Sequence, residues 1–393
     1  MRYLVSGYYG EGNLGDEAIL AAMVRDLRRH DPAAEISVLS FDPADTAGRH
    51  GVEALSTRLR HPSRLVEAIR CSHLVISGGG SFLHEADFAL YGRSFWRREG
   101  RLRPVPYFLS VVTLARALGR PVMWYAQGLG PLHTKQARQA VGRVGSLCQV
   151  VTWRDVDSAR LAAEVGVRAP VQLVVPDPAY SLAPAPIKTV AATLRDQGLP
   201  ADVRYLAVCP RPWLGRKTYQ QHLGAAVARV AAAHDLAVLL VPFQERTDGP
   251  LCAELLARSD LADRAWVVSG VDDPAMIAGI LGGAEFAVTM RLHSGILAAA
   301  AGTPAAAIDY DPKVRAFLRQ TGQEAWAVTA DELESAHGQE ALEGALFATA
   351  RDLPRRRAAL ERKVRPLQAE ASRTAAMAVQ LAAWGGLPEG PGR

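Results

Sequence analysis

Long apolar runs, paired cysteines, repeats and low-complexity tracts are all missing from this chain of 393 residues, and each absence narrows the choice. No stretch approaches the ~18 consecutive apolar residues of a membrane-spanning helix. The start also lacks the charged-then-apolar run of a secretory signal, so a soluble, cytoplasmic protein is expected. The four cysteines, Cys71, Cys148, Cys209 and Cys252, stand far apart with no Cys-x-x-Cys pair, which removes zinc-knuckle and dithiol readings. No Gly-Lys-Ser/Thr closes a glycine-rich turn, so a Walker A phosphate loop is excluded. Charge excess is small: 45 Lys and Arg against 40 Asp and Glu give +5, with a pI of about 9.1. Such a balance suits a small anionic substrate or an anionic membrane surface. With no nucleic-acid motif beside it, no nucleic-acid partner is expected. No His, Asp and Glu cluster has ligand spacing, so no metal is expected either.

What is present is apolar and regularly punctuated. A chain that is 49% hydrophobic and 22% charged can fill two cores of the usual ~100–200 residues. Short runs rich in Val, Ile and Leu alternate with helical patterns: Tyr3 to Val5, Ile36 to Leu39, Leu74 to Ser77, Val122 to Tyr125, Val150 to Trp153 and Val171 to Val175. After Pro184-Ala185-Pro186 a second series follows: Tyr205 to Cys209, Ala237 to Val241, Trp266 to Ser269, Phe286 to Thr289 and Ala305 to Ile308. Strands alternating with helices form parallel sheets. The expected fold class is therefore α/β, with two doubly wound Rossmann-like domains facing a cleft in a GT-B-like arrangement. The expected bounds are residues 1–183 for an N-terminal domain and 187–338 for a C-terminal domain. Residues 339–393 form a helical segment crossing back to the first, broken at Pro354 and Pro366.

Two sets of residues suggest chemistry. The turn Gly10-Glu11-Gly12-Asn13-Leu14-Gly15-Asp16-Glu17 joins the first strand to a helix. Its glycines allow close backbone approach, but Asp16 and Glu17 at the helix start repel a pyrophosphate, which favours sugar hydroxyls over a nucleotide. As a plainer reading, Asp16 caps the helix and Glu17 favours its dipole. The second set is cationic: Arg154, Arg211, Arg291 and Lys313 each follow a predicted strand, where the crevice of a parallel sheet lies. Each alone is as readily a structural ion pair. Around Arg291 the sequence Thr289-Met290-Arg291-Leu292-His293-Ser294-Gly295 reads strand, turn, helix. An arginine there grips carboxylate or phosphate, and a histidine can deliver a proton near neutrality.

These motifs together resemble the polysaccharide pyruvyltransferase family, and most of all the branch that pyruvylates secondary cell-wall polymers. The resemblance runs from Gly7-Tyr8-Tyr9-Gly10 and Asn13-x-Gly15-Asp16-Glu17 through Ser77-Gly78-Gly79-Gly80, Gln127-Gly128-Leu129-Gly130-Pro131 and Trp153-Arg154-Asp155-x-x-Ser158. It continues in Cys209-Pro210-Arg211-Pro212-Trp213, Met290-Arg291-Leu292-His293 and Tyr310-Asp311-Pro312-Lys313-Val314. Departures from the family pattern include Ser294-Gly295, where relatives carry Ala and an apolar residue.

The resemblance implies transfer of pyruvate from phosphoenolpyruvate to a sugar, expected to be N-acetylmannosamine in a cell-wall polysaccharide precursor. A cyclic ketal forms and phosphate leaves. It assigns His293 as general acid, with Asp16 and Glu17 assisting. Arg154, Arg211, Arg291, Ser294 and Lys313 fall to the donor, and Asn13, Gly78, Gly79, Gly80 and Gln127 to the saccharide acceptor. Phosphoenolpyruvate is a co-substrate, and no cofactor is expected.

Residues 86–106 do not fit the family pattern. There Phe88, Tyr91, Phe95 and Trp96 interleave with Arg93, Arg97, Arg98, Arg101 and Arg103, which suits peripheral membrane contact or a lipid-diphosphate-linked acceptor at the inner face of the cytoplasmic membrane. A solvated loop fits equally well. Two other readings stay open: a GT-B glycosyltransferase or sugar epimerase using a nucleotide sugar, and a non-catalytic membrane-peripheral glycan-binding protein.

Overall fold

The computed structural model describes residues 1–57, 62–85, 97–98, 101–102 and 104–385. It divides into two compact units. The first comprises Met1–Glu11, Ile19–Pro178 and the chain from Ala369; the second comprises Gly12–Ala18 and Ala179–Gln368.

In the first unit the strands are β1 (Arg2–Tyr9), β2 (Glu35–Ser40), β3 (Glu53–Ser56), β4 (Leu74–Leu83), β7 (Val122–Leu129), β8 (Val150–Trp153) and β9 (Val171–Val174), with a separate antiparallel pair, β5 (Arg97–Arg98) and β6 (Arg101–Leu102). They form one sheet in the order β3-β2-β1-β4-β7-β8-β9, parallel throughout, with Val5 beside Ile76 and Val75 beside Val122. Helices cover both faces, so the central strands read as continuous apolar runs, and every residue of β7 is buried. Trp124 and Trp153, both fully buried, meet edge to face at 5.7 Å between ring centres. Side-chain caps set the helix starts: the Asp155 carboxylate accepts the Ser158 N–H at 2.6 Å, and Thr134 accepts from Ala137 at 3.1 Å.

The second unit repeats the plan with β10 (Tyr205–Cys209), β11 (Ala237–Leu240), β12 (Ala265–Val267), β13 (Phe286–Thr289), β14 (Ala305–Asp309) and β15 (Ala327–Thr329), ordered β12-β11-β10-β13-β14-β15. In each unit the chain winds outward one way through its first three strands and then the other way. Strand order therefore reverses between β1 and β4, and between β10 and β13, which is where doubly wound sheets bind ligands.

Three expectations need correction. β3 and β15, only four and three residues long, were not legible as strands. The triplet Gly78–Gly80 lies inside β4 rather than after it. Pro366 sits within the helix Leu353–Ala371 instead of breaking it. The segment 339–368 belongs to the second unit. Its helix Gly338–Ala350 carries Glu343, which accepts from Arg229 on the helix Thr218–His234 at 2.9 Å. Further on, Arg357 donates to the carbonyls of Ala284 and Glu285, and Gln368 to that of Ala300. The helix Arg373–Trp384 packs within the first unit, against β4 and β7. The membrane-facing stretch expected over 86–106 lies largely outside the described residues. Among the described residues no helix is long and apolar enough to cross a membrane.

Gly79 shows why the glycine triplet is present. Its φ is +72°, and a Cβ there would overlap Ile19 and crowd the Tyr9 hydroxyl, which donates to the Gly78 carbonyl at 2.6 Å. Gly79→Ala combines backbone strain with overpacking and is expected to destabilise the protein by about 2–4 kcal/mol, read as a lowered denaturation midpoint.

Candidate active site

The switch point of the second sheet gathers the residues with chemical capacity. β13 ends at Thr289 and the helix Leu292–Ala300 begins three residues later, with Arg291 in extended backbone as its N-cap. The Arg291 side chain turns toward the helix Glu245–Leu256. Its Nε donates to Asp248 Oδ2 and its Nη2 to Asp248 Oδ1, both at 2.7 Å, and Nη2 also reaches Thr247 Oγ1 at 2.9 Å. Asp248 is wholly buried, and its carboxylate further accepts the N–H groups of Phe243 at 3.1 Å and Gln244 at 3.0 Å. An arginine–carboxylate fork of this kind fixes orientation as well as charge.

Ser294 lies beneath this junction. It is fully buried, donates its hydroxyl to the Arg291 carbonyl at 2.6 Å, and sits against the Cys209 thiol. In this position its hydroxyl braces the helix start. His293, half-buried at the second helical position, takes its place from this turn.

The glycine-rich turn packs beside His293. Leu14 N–H donates to the Phe243 carbonyl at 2.9 Å, and Gly15 lies so close to the imidazole that a Cβ would overlap it. The next residue, Asp16, is buried and accepts from the Asn13 amide at 2.5 Å, while Asn13 Oδ1 accepts the Gly15 N–H at 3.2 Å. Burial pushes the Asp16 carboxyl up to about 6, with Glu17 adding to the rise and His293, the Asn13 amide and Lys313 opposing it. Asp16 therefore changes charge near neutral pH, a property useful in proton transfer. Glu17 is buried in the same first turn.

The other cations differ in how their charge is met. Lys313 pairs with Asp311 at 3.3 Å at the start of the helix Pro312–Thr321. Arg211, after β10, donates to the Tyr310 hydroxyl at 2.7 Å and lies over the rings of Trp213 and Tyr310.

In the first unit Arg154 is buried, bonded to Ser81 Oγ at 2.5 Å and facing Asp177 at 3.5 Å and Asp155 at 3.7 Å. These partners hold it beneath that sheet's strand ends. Gln127 is likewise fully buried, its amide donating to the carbonyls of Gly80 at 3.1 Å and Gly128 at 2.8 Å. Gly78, Gly79 and Gly80 are buried with it. A strand end locates a residue, but the rotamer decides what it touches, and the Gln127 amide is turned to backbone carbonyls. Sequence reasoning missed Asp248, whose only signal is a carboxylate early in the helix after β11. Among the described residues no three His, Cys, Asp or Glu side chains are grouped to hold a metal.

Two parallel sheets wrapped by helices, with His293 and three cations past the strand ends of the second and Asp16 in the turn beside His293, make a GT-B-like α/β fold. The chain belongs to the polysaccharide pyruvyl transferase family, which it matches over residues 13–312. No protein of curated function matches it. Several solved structures share the fold. The UDP-GlcNAc 2-epimerase of Neisseria meningitidis, bound to UDP-GlcNAc, has a TM-score of 0.59 at 9% identity over 98% of this chain and 100% of that one. MnaA of S. aureus, in a structure with UDP, reaches 0.58 at 12% over 98% and 96%. HepE of Anabaena, in complex with UDP-glucose, reaches 0.56 at 14% over 98% of both. At such identities the likeness is one of fold.

Two outcomes follow. Asp248→Ala leaves the Arg291 charge buried and unpaired, which is expected to cost about 3–5 kcal/mol in denaturant unfolding. For Asp16 the folded carboxyl binds its proton more tightly than the unfolded one, at about 6 against 3.8. Its contribution is therefore whole below about pH 4 and is lost as pH rises through about 6. Asp16→Asn is expected to match wild type near pH 4 and to exceed its stability by about 2–3 kcal/mol near pH 8, seen in thermal unfolding across that range.

Proposed function

We propose that this enzyme moves the enolpyruvyl unit of phosphoenolpyruvate onto two hydroxyls of a sugar in a cell-wall polysaccharide precursor, closing a cyclic ketal and releasing phosphate. The observation that carries the proposal is the placing of His293 at a helix N-terminus, against Gly15 and the Asp16 carboxylate, in a chain of the polysaccharide pyruvyl transferase family.

In this reading His293 protonates the methylene carbon of the donor, leaving an oxocarbenium-like centre at C2. One sugar hydroxyl attacks that centre and gives up its proton; Asp16, ionised above about pH 6, is the nearby group able to accept it. The C2–O bond to phosphate then breaks, and a neighbouring hydroxyl closes the ketal. The net change is donor plus diol to ketal plus phosphate, with no cofactor invoked.

Charge on the donor is met by Arg211 and Lys313, and by the helix start after β13, whose first N–H groups have no carbonyl partner within the helix. Arg291 supports that turn through its fork with Asp248. N-acetylmannosamine as acceptor sugar, and a lipid-diphosphate link on it, belong to this proposal through the motifs that resemble the cell-wall branch.

A nucleotide-sugar reading draws on the UDP and UDP-sugar complexes of the fold neighbours. Thermal unfolding separates the two, because a ligand that binds the folded state alone raises its midpoint. Phosphoenolpyruvate is expected to stabilise wild type and His293→Asn alike, while the variant loses about 10²–10⁴-fold in phosphate release with a saccharide acceptor. Stabilisation by UDP-GlcNAc and not by phosphoenolpyruvate would overturn the proposal in favour of a glycosyltransferase or epimerase.

A further inference from the structure

The cations at the strand ends are not equivalent. Arg291 is paired with Asp248 and Lys313 with Asp311, and in the first unit Arg154 faces Asp177 and Asp155. Past β10, Arg216 pairs with Asp331 at 2.6 Å and Lys217 with Glu254 at 3.4 Å. Arg211 pairs with no carboxylate among the described residues. Its guanidinium carbon lies 5.4 Å from the Trp213 ring centre and 5.1 Å from that of Tyr310. Those two rings pack together at 4.6 Å, and Nη1 donates to the Tyr310 hydroxyl at 2.7 Å. Aromatic faces and a neutral phenol orient a guanidinium without cancelling its charge.

The placement is specific. β10, β13 and β14 are consecutive in the sheet, so β10 and β14 stand two strand spacings apart, roughly 10 Å. Arg211 follows β10 and Tyr310 follows β14, and the bond between them therefore spans the end of β13, from which Arg291 and His293 emerge. The carbonyl of Arg211 accepts the Tyr219 hydroxyl, which holds the backbone of the same turn.

We propose that Trp213 and Tyr310 are positioning residues that hold Arg211 as the donor's anion grip, presenting the uncompensated charge of this group over the helix start that carries His293. The inference rests on the pyruvyl-transfer reading and deepens it. Residues that act through Arg211 should control donor affinity and leave the proton transfer from His293 largely intact.

The test is titration of the full chain with phosphoenolpyruvate, read by calorimetry and by steady-state rates. Tyr310→Phe removes one oxygen, and Trp213→Leu removes the second ring. Each is expected to raise both Kd and KM for phosphoenolpyruvate by about 5–20-fold with kcat within about threefold, since a hydrogen bond to a charged group and a cation–π contact are each lost. Trp213→Phe restores most of the affinity. In wild type, phosphoenolpyruvate changes tryptophan emission, and that change disappears in Trp213→Phe. A purely structural role would lower the ligand-free melting temperature and leave KM unmoved. Should Trp213→Leu fold poorly, Tyr310→Phe carries the test alone. Wild type that binds phosphoenolpyruvate, with Tyr310→Phe and a folded Trp213→Leu binding it equally well, overturns this proposal by itself. Wild type that does not bind it overturns the donor reading and this proposal together.

Discussion

The Arg291–Asp248 pair is the constraint from which the second unit's site is built. Asp248 sits at the start of the helix after β11 and gathers the N–H groups of Phe243 and Gln244 onto the same carboxylate that receives Arg291. Phe243 in turn accepts the Leu14 N–H through its carbonyl. One buried carboxylate thus ties the start of the His293 helix, the loop after β11 and the glycine-rich turn that carries Asp16. Removing two charges from water is costly, and the fork recovers that cost only with every lone pair satisfied, as it is here. The return is geometric: His293 and Asp16 are fixed to each other through backbone that neither side chain controls.

Around that frame, charge is distributed unevenly. Carboxylates restrain most of the strand-end cations, and such pairs build the scaffold more than they attract a ligand. Arg211 is oriented by rings instead, and among the described residues no carboxylate pairs with it. Asp16 shows the converse: burial holds its carboxyl near 6 even though His293 and Lys313 pull it down. A carboxyl held at such an intermediate affinity can take up and release a proton near neutral pH. The balance of +5 in the sequence gives no hint of this partition.

Much of the fold was readable because parallel strands buried on both faces must be apolar along their whole length. Val122 to Tyr125 and Phe286 to Thr289 announce themselves this way. β3 and β15 did not: at the sheet edges they are short, and β3 carries Glu53 and Ser56 at its ends. Pro366 read as a break because a proline lacks the N–H of a helix interior, yet the surrounding helix tolerates it on an exposed face. Within the site, His293, Arg291 and Asp16 were legible as types at strand ends. Arg154, Ser294 and Gln127 were legible by position, but their partners within the fold were not.

The sequence by itself determined the two series of strands, the strand-end positions of the cations and the family motifs, because these depend on local periodicity and on residues close together in the chain. Tertiary structure alone decided which of those side chains face partners already in place. Arg291 meets Asp248 across 43 residues, Arg211 meets Tyr310 across 99, and Arg154 meets Ser81 across 73. A charge's availability is set by what surrounds it in space, and that surrounding is assembled only when distant strand ends are brought to one edge of a sheet.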